Sequence, residues 1–222
     1  MGTRGRKKNP AQTAATRNNL IEKSYELFSM NTIESVTMSE IAKASGYGEI
    51  TLYRYFPTKP MLVIAVATWK WEQFREENKK HRPSVDFEGM TAAEIFEFYL
   101  DSFLLLYRNH MDLLRFNQFF NVYVQSEHID TETLKPYQGM IQGLMKQFHG
   151  MYLKAQDDRT IRTDIPEDDM FSATLHLMLA VVTRYAVGLV YVPENGFDAE
   201  KELRLQKGMI LKEFTLNTND GR

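Results

Sequence analysis

Residues Ser45 to Lys59 read SGYGEITLYRYFPTK and hold two glycines, three tyrosines, one arginine and one lysine. Such side chains suit a hydrophobic core poorly and suit a surface that meets phosphates and bases well. Tyr47, Tyr53 and Tyr55 can donate phenolic O–H groups to phosphate oxygens, and Gly48 lets a backbone come close. Lys59, near the expected start of a helix, adds a charge beside free backbone N–H groups, a ready phosphate site. Alternatively, the tyrosines cover a small three-helix core. The flanking elements favour the first reading.

Helical spacing dominates the chain and strand alternation is missing. In RNNLIEKSYELFSMN, a helix expected over 17–30, Leu20, Ile21, Leu27 and Phe28 share a face, and Asn31 is placed to close it in a left-handed turn. Thr37-Met38-Ser39-Glu40 reads as a capping box, with Val36 and Ile41 spaced as a hydrophobic staple. Gly46 stops that short helix. A second short helix is expected from Glu49 to Tyr55, with Leu52 and Phe56 inward and Glu49, Thr51 and Arg54 turned away. Pro57 ends it, and Thr58 or Lys59 caps the next. Two short helices about a glycine-containing turn, braced by a third, form a helix-turn-helix, whose second helix enters the major groove of DNA.

Thr37, Ile41-Ala42, Gly46 and then Thr51-Leu52-Tyr53-x-Tyr55-Phe56-x-x-Lys59 resemble the TetR family of transcriptional regulators, specifically over residues 17–66. Further on, the likeness rests on length and helix layout. The resemblance implies an all-α homodimer with an N-terminal DNA-binding domain and a larger helical domain that binds a small effector and releases the operator. It implies phosphate contacts from Thr37, Thr51, Tyr53, Tyr55 and Lys59 and groove-facing positions at Tyr47, Gly48 and Glu49; Ser39 and the outward Arg54 are further DNA-binding candidates. Two departures stand out. Gly48-Glu49 replaces the usual Ser-Lys, and a carboxylate there repels phosphate yet can accept from a cytosine amino group, trading affinity for sequence choice. Pro60 replaces an acidic residue and pushes Lys59 away from α geometry. The expected domains are 1–58, arm and helix-turn-helix, and 59–222, effector binding and dimerisation.

The charge distribution agrees. The chain of 222 residues has a net charge of −2, yet residues 1–60 sum to +4 and the remainder to −6. A basic head on an acidic body suggests a polyanionic partner. Arg4, Arg6, Lys7 and Lys8 read either as an arm reaching into a minor groove or as a solubilising tail. Cys is absent, which removes disulfides and thiolate chemistry. The charged N-terminus has no apolar run behind it, so a cytoplasmic protein is expected. No cofactor or metal is expected, because the five histidines form no metal spacing. Catalytic residues are likewise not expected: there is no phosphate-cradling glycine loop, no G-x-S-x-G elbow and no cysteine nucleophile. A helix-turn-helix relic that binds ligand or protein without binding DNA is the alternative that Glu49 keeps open.

Beyond Pro60, helices are expected over 60–80, 91–109, 112–126, 136–156, 167–192 and 198–216, with Pro136 starting its helix. The run from Phe171 to Val192 has membrane-span length, but His176, Thr183 and Arg184 interrupt it. A helix buried on both sides, against its own subunit and a twofold mate, explains it better, with Ala186 and Gly188 permitting close approach. The resemblance places the expected dimer seam on the last two helices. The aromatic-rich segments 96–107 and 116–123 read as core, or as an apolar cavity with a few placed polar groups. The candidate effector residues are Phe103, Tyr107, Phe116, Asn117, Phe120, Asn121, Tyr123, Met145, Phe148, His176 and Arg184. The effector is expected to be small and hydrophobic.

Overall fold

A computed structural model describes residues 9–80, 87–190 and 196–216. Nine α-helices lie among them: α1 (Pro10–Met30), α2 (Met38–Ala44), α3 (Glu49–Tyr55), α4 (Lys59–Lys80), α5 (Ala92–Asn109), α6 (Met111–Ser126), α7 (Thr131–Asp158), α8 (Glu167–Ala186) and α9 (Ala199–Phe214). The fold is all-α, as expected; an antiparallel bridge pairs Ile161 with Thr215. The helices divide between two compact units, one of Met1–Phe74 with Phe119–Gln138, the other of Arg75–Gln118 with Gly139–Arg222.

In the first unit α1 starts earlier than its apolar pattern does. Asn9 caps it by accepting from the Ala11 amide at 3.1 Å, and Pro10 takes the first turn, where its missing N–H is harmless. Leu20, Ile21, Ser24, Tyr25 and Phe28 form its buried face. Asn31 does not close the helix in a left-handed turn. It is extended at φ −133°, and its side-chain amide donates to the Leu27 carbonyl at 3.0 Å, satisfying the helix end without left-handed backbone.

The capping box of α2 is complete. Thr37 Oγ1 accepts from the Glu40 amide at 3.2 Å, and Glu40 Oε2 accepts from the Thr37 amide at 2.7 Å. The Thr37 backbone N–H, then its hydroxyl, hold the Glu40 carboxyl below the usual carboxylate range. Because the folded value is depressed, this contribution is present above the ordinary carboxylate pKa and is lost as pH falls through the folded value. Thr37→Ala is expected to destabilise the protein by about 1 kcal/mol at neutral pH, with the deficit shrinking in acid. Thermal melts at two pH values check both parts. Gly46 follows at φ +74°, the left-handed stop that the sequence requires.

In the second unit Thr91 and Glu94 repeat the capping box at the head of α5. α5 packs on both α8 and α9, and α8 packs on α9. Phe96 lies edge-on to Phe148 and Phe214, and Phe148 edge-on to Phe171, joining α5, α7, α8 and α9 in one aromatic core. Lys207 fastens α9 to α5 through Asp101 at 2.6 Å and Glu97 at 2.8 Å.

Two expectations about helix ends are corrected. Pro136 lies inside α7, because Asp130 starts the helix earlier by accepting from the Thr133 amide and hydroxyl, each at 2.9 Å. The apolar run beginning at Phe171 is not one helix to Val192. α8 stops at Ala186, and Gly188 turns left-handed at φ +76°, donating to the Tyr185 carbonyl at 3.0 Å while Leu189 donates to that of Arg184 at 3.1 Å. This is the paired-bond helix stop that glycine favours. Gly188 therefore ends the helix, and a Cβ there meets nothing within 4 Å. Val192 lies outside the described residues.

Candidate DNA-binding face and buried polar groups

The orientation of α3 follows from one buried anchor. Leu52 and Phe56 are buried, which fixes the inward side. At about 100° per residue, Ile50 lies roughly 160° from Leu52, and Arg54 a similar angle away. Glu49, Ile50, Tyr53 and Arg54 are all exposed, forming an open arc. Thr51 and Tyr55 are half-buried at its edges, and the Arg54 guanidinium lies 5.4 Å from the Tyr55 ring centre. Gly48 caps α3 at an ordinary φ of −77° with no side-chain bond. A Cβ at Gly48 meets nothing within 4 Å, so the glycine leaves this surface bare without being demanded by the backbone.

The other expected contacts fall around this arc unevenly. Ser39 is exposed on α2. Thr37 is exposed, but its hydroxyl is engaged in the capping box. Tyr47 is half-buried, its O–H donating to Thr16 Oγ1 on α1 at 3.5 Å. Lys59 is half-buried, donating to the Glu34 carbonyl at 3.2 Å with its ammonium 5.7 Å from the Tyr123 ring. Its burial pushes the ammonium pKa down, opposed by Glu34, Glu127 and Glu40. Arg4, Arg6, Lys7 and Lys8 lie outside the described residues.

Ile50 was missed by the sequence reading, which defaults an isoleucine to the core. The signal was present: Ile50 is two residues from the inward Leu52, so it points outward on a helix.

The candidate effector residues separate. Phe120, Asn121 and Tyr123 belong to the first unit. There Phe120 lies 4.9 Å from Tyr137, whose phenol burial pushes up to about 12, and Asn121 is exposed. Tyr123 is buried beneath the Lys59 ammonium, and burial raises its phenol. The second unit holds Phe103, Tyr107, Phe116, Asn117, Met145, Phe148, His176 and Arg184. Phe116 and Phe148 are buried; Phe103, Met145 and Arg184 are half-buried. Tyr107 is half-buried and edge-on to Tyr185, and His176 is exposed on α8.

Asn117 is the informative member. It is 1% exposed, and neither its amide nitrogen nor its oxygen has a hydrogen-bond partner. Thr174 and Thr183 on α8 are also buried with unpaired hydroxyls. Other helical hydroxyls in this protein behave differently: Ser24, Thr68 and Ser102 each donate to the carbonyl four residues back. Buried polar groups are normally paired, so three unsatisfied side chains in one unit ask for partners that the chain does not supply. Arg115 Nε donates to the Ala186 carbonyl at 3.0 Å, tying the early part of α6 to the end of α8. Asn117 follows Arg115 by two residues, and Thr183 precedes Ala186 by three. Neither Thr174 nor Thr183 stands among the expected effector residues, because an unpaired hydroxyl is visible only once all its neighbours are placed.

Among the described residues, no group of three or more His, Asp or Glu is arranged to hold a metal. No helix among them is long and apolar enough to cross a membrane.

A small helical unit presenting the open face of a helix-turn-helix defines a DNA-binding regulator. Residues 20–66 match the model of the bacterial regulatory proteins, tetR family. No curated protein matches the chain. Solved structures extend the likeness along its length. The transcriptional regulator FadR from Bacillus subtilis, in complex with stearoyl-CoA, is 17% identical at a TM-score of 0.65, covering 87% of this chain and 97% of that one. The fatty acid degradation regulator FadR from Bacillus halodurans is 15% identical at 0.64, covering 93% and 97%. Salmonella enterica GusR is 19% identical at 0.62, covering 93% and 98%. At these identities the likeness shows a shared fold.

Proposed function

We propose that this regulator is a homodimeric repressor that reads DNA with α3 and lets go when a small, mainly apolar effector enters its second unit. The observation that carries the DNA half is the open arc of α3, Glu49, Ile50, Tyr53 and Arg54, on the side opposite the buried Leu52. Thr51, Tyr55 and Ser39 flank it and supply hydroxyls for phosphate. Lys59 takes a different part: with its ammonium engaged at Glu34, it braces α4 beneath the helix-turn-helix.

The effector half rests on Asn117, Thr174 and Thr183. A carboxamide is both donor and acceptor, and a hydroxyl can be either. With Phe116 and Phe148 buried and Phe103 and Met145 half-buried in the same unit, they suit an apolar molecule with a few hydrogen-bonding groups. The stearoyl-CoA bound by the FadR neighbour is a long-chain ligand, which favours the same direction. Exposed Leu177 on α8 and exposed Leu205 and Met209 on α9, two helices that pack on one another, support the dimer. Binding of the effector favours a dimer whose α3 helices no longer match grooves about 34 Å apart.

Selection of bound fragments from the genome of the source organism tests the reading. Enrichment of a two-fold symmetric site is expected, with binding that weakens steeply as salt rises, by about 0.9 in log K per log salt for each phosphate contact. Absence of any enriched duplex, or binding indifferent to salt, overturns it in favour of a ligand-binding module that has lost DNA.

A further inference from the structure

We propose that Ile50 is a specificity-determining residue that reads the C5-methyl group of a thymine in the major groove. The inference rests on the proposed DNA-binding function. Ile50 is 86% exposed, more than any other large apolar side chain among the described residues.

Isolated exposed aliphatics are common on protein surfaces and ordinarily need no explanation. Three features set Ile50 apart. It occupies the middle of the open arc of α3, one turn before Arg54 and flanked by Glu49 and Tyr53. β-Branched residues are also weaker helix formers than Ala or Leu, and burial offers no return here, so local stability does not account for the choice. Finally, Gly48 at the head of α3 presents no side chain, and there is open space where its Cβ would be. An aliphatic side chain in that position can come up to the floor of the groove.

The groove offers one apolar group to meet it. Of the four base-pair edges, only thymine carries a methyl in the major groove; the other functional groups are hydrogen-bond donors and acceptors. An isoleucine opposite cytosine, guanine or adenine desolvates polar edges without pairing them. Opposite thymine it buries a methyl against its own branch. Glu49 and Ile50 are adjacent and face the same groove, so a carboxylate acceptor and a methyl contact fall on neighbouring base pairs. Burying one methyl group corresponds to about a fourfold change in affinity, and about fifteenfold when both half-sites of a symmetric operator are changed.

The test uses the full-length protein and the duplex it enriches. Each thymine is replaced in turn by deoxyuridine, which removes the methyl and keeps every hydrogen-bonding group. Wild type is expected to lose about fourfold at one thymine per half-site. Ile50→Ala is expected to bind thymine and uracil equally at that position while keeping wild-type discrimination elsewhere; Ile50→Val should fall between. Because Ile50 is exposed, both variants should melt as wild type does, and the uracil comparison within each variant is independent of any change in overall affinity. If Ile50→Ala retains the full set of methyl preferences, or wild type shows none, the assignment is overturned while DNA binding stands. If no duplex is enriched at all, the DNA-binding reading falls and this inference with it.

Discussion

Replacing Leu205 and Met209 on α9 by lysine is expected to leave folded monomers that bind the operator at least about a hundredfold more weakly than the dimer. Leu205 and Met209 are 59% and 60% exposed and one turn apart, and Leu177 on α8 is 56% exposed. Each alone is unremarkable. Together they lie on two helices that pack on one another, with His176, Ala180 and Gly208 also exposed beside them. The opposite sides of those helices are occupied: Met170, Phe171, Met178 and Val182 of α8 and Leu203, Ile210 and Phe214 of α9 are buried. An apolar stripe left over after the core is filled is what a twofold mate covers. A dimer engages two half-sites at once, and joining two binding events raises affinity by roughly 10² to 10⁴. Sedimentation with a melting curve separates loss of pairing from loss of fold. A double variant that stays dimeric removes α9 from the seam; a monomer with undiminished operator affinity removes the need for pairing.

Asn117→Leu is expected to raise stability without ligand by about 1–3 kcal/mol, because a buried amide with neither atom paired carries its full desolvation cost and a leucine of the same branched shape carries none. For a chain of this size each kcal/mol moves Tm by about 2–4 °C. The same variant should hold its operator but respond poorly to any effector that releases wild type, since the amide is the group most able to meet a polar atom of the ligand. Thermal shift and operator release, measured in parallel, give opposite signs for gain of stability and loss of response. A fall in Tm would show that Asn117 is already satisfied, and normal release would place the effector elsewhere. Thr174→Val and Thr183→Val extend the test: each deletes an unpaired hydroxyl at nearly constant shape.

The parts of this molecule legible from sequence are those whose physics is local. Both Thr–Glu capping boxes join residues three apart, so the spelling at Thr37–Glu40 specifies the geometry, and Gly46 follows from the rarity of left-handed backbone in other residues. Where local signals competed, the apolar pattern misled. The run after Phe171 outweighed Gly188, although the backbone obeys the glycine. Pro136 suits a first helical turn, but the Asp130 cap begins α7 a turn and a half earlier.

The helix-turn-helix and the residue types on its open face were thus determined by the sequence by itself, because a cap, a turn and a helix face are decided within a few residues. Only the tertiary structure decided that Lys59 bends back to Glu34 and that Asn117, Thr174 and Thr183 are buried without partners. Those facts depend on what other segments bring, or fail to bring, within hydrogen-bonding distance. Whether a polar atom is satisfied is a property of its whole surroundings, not of its place in the chain.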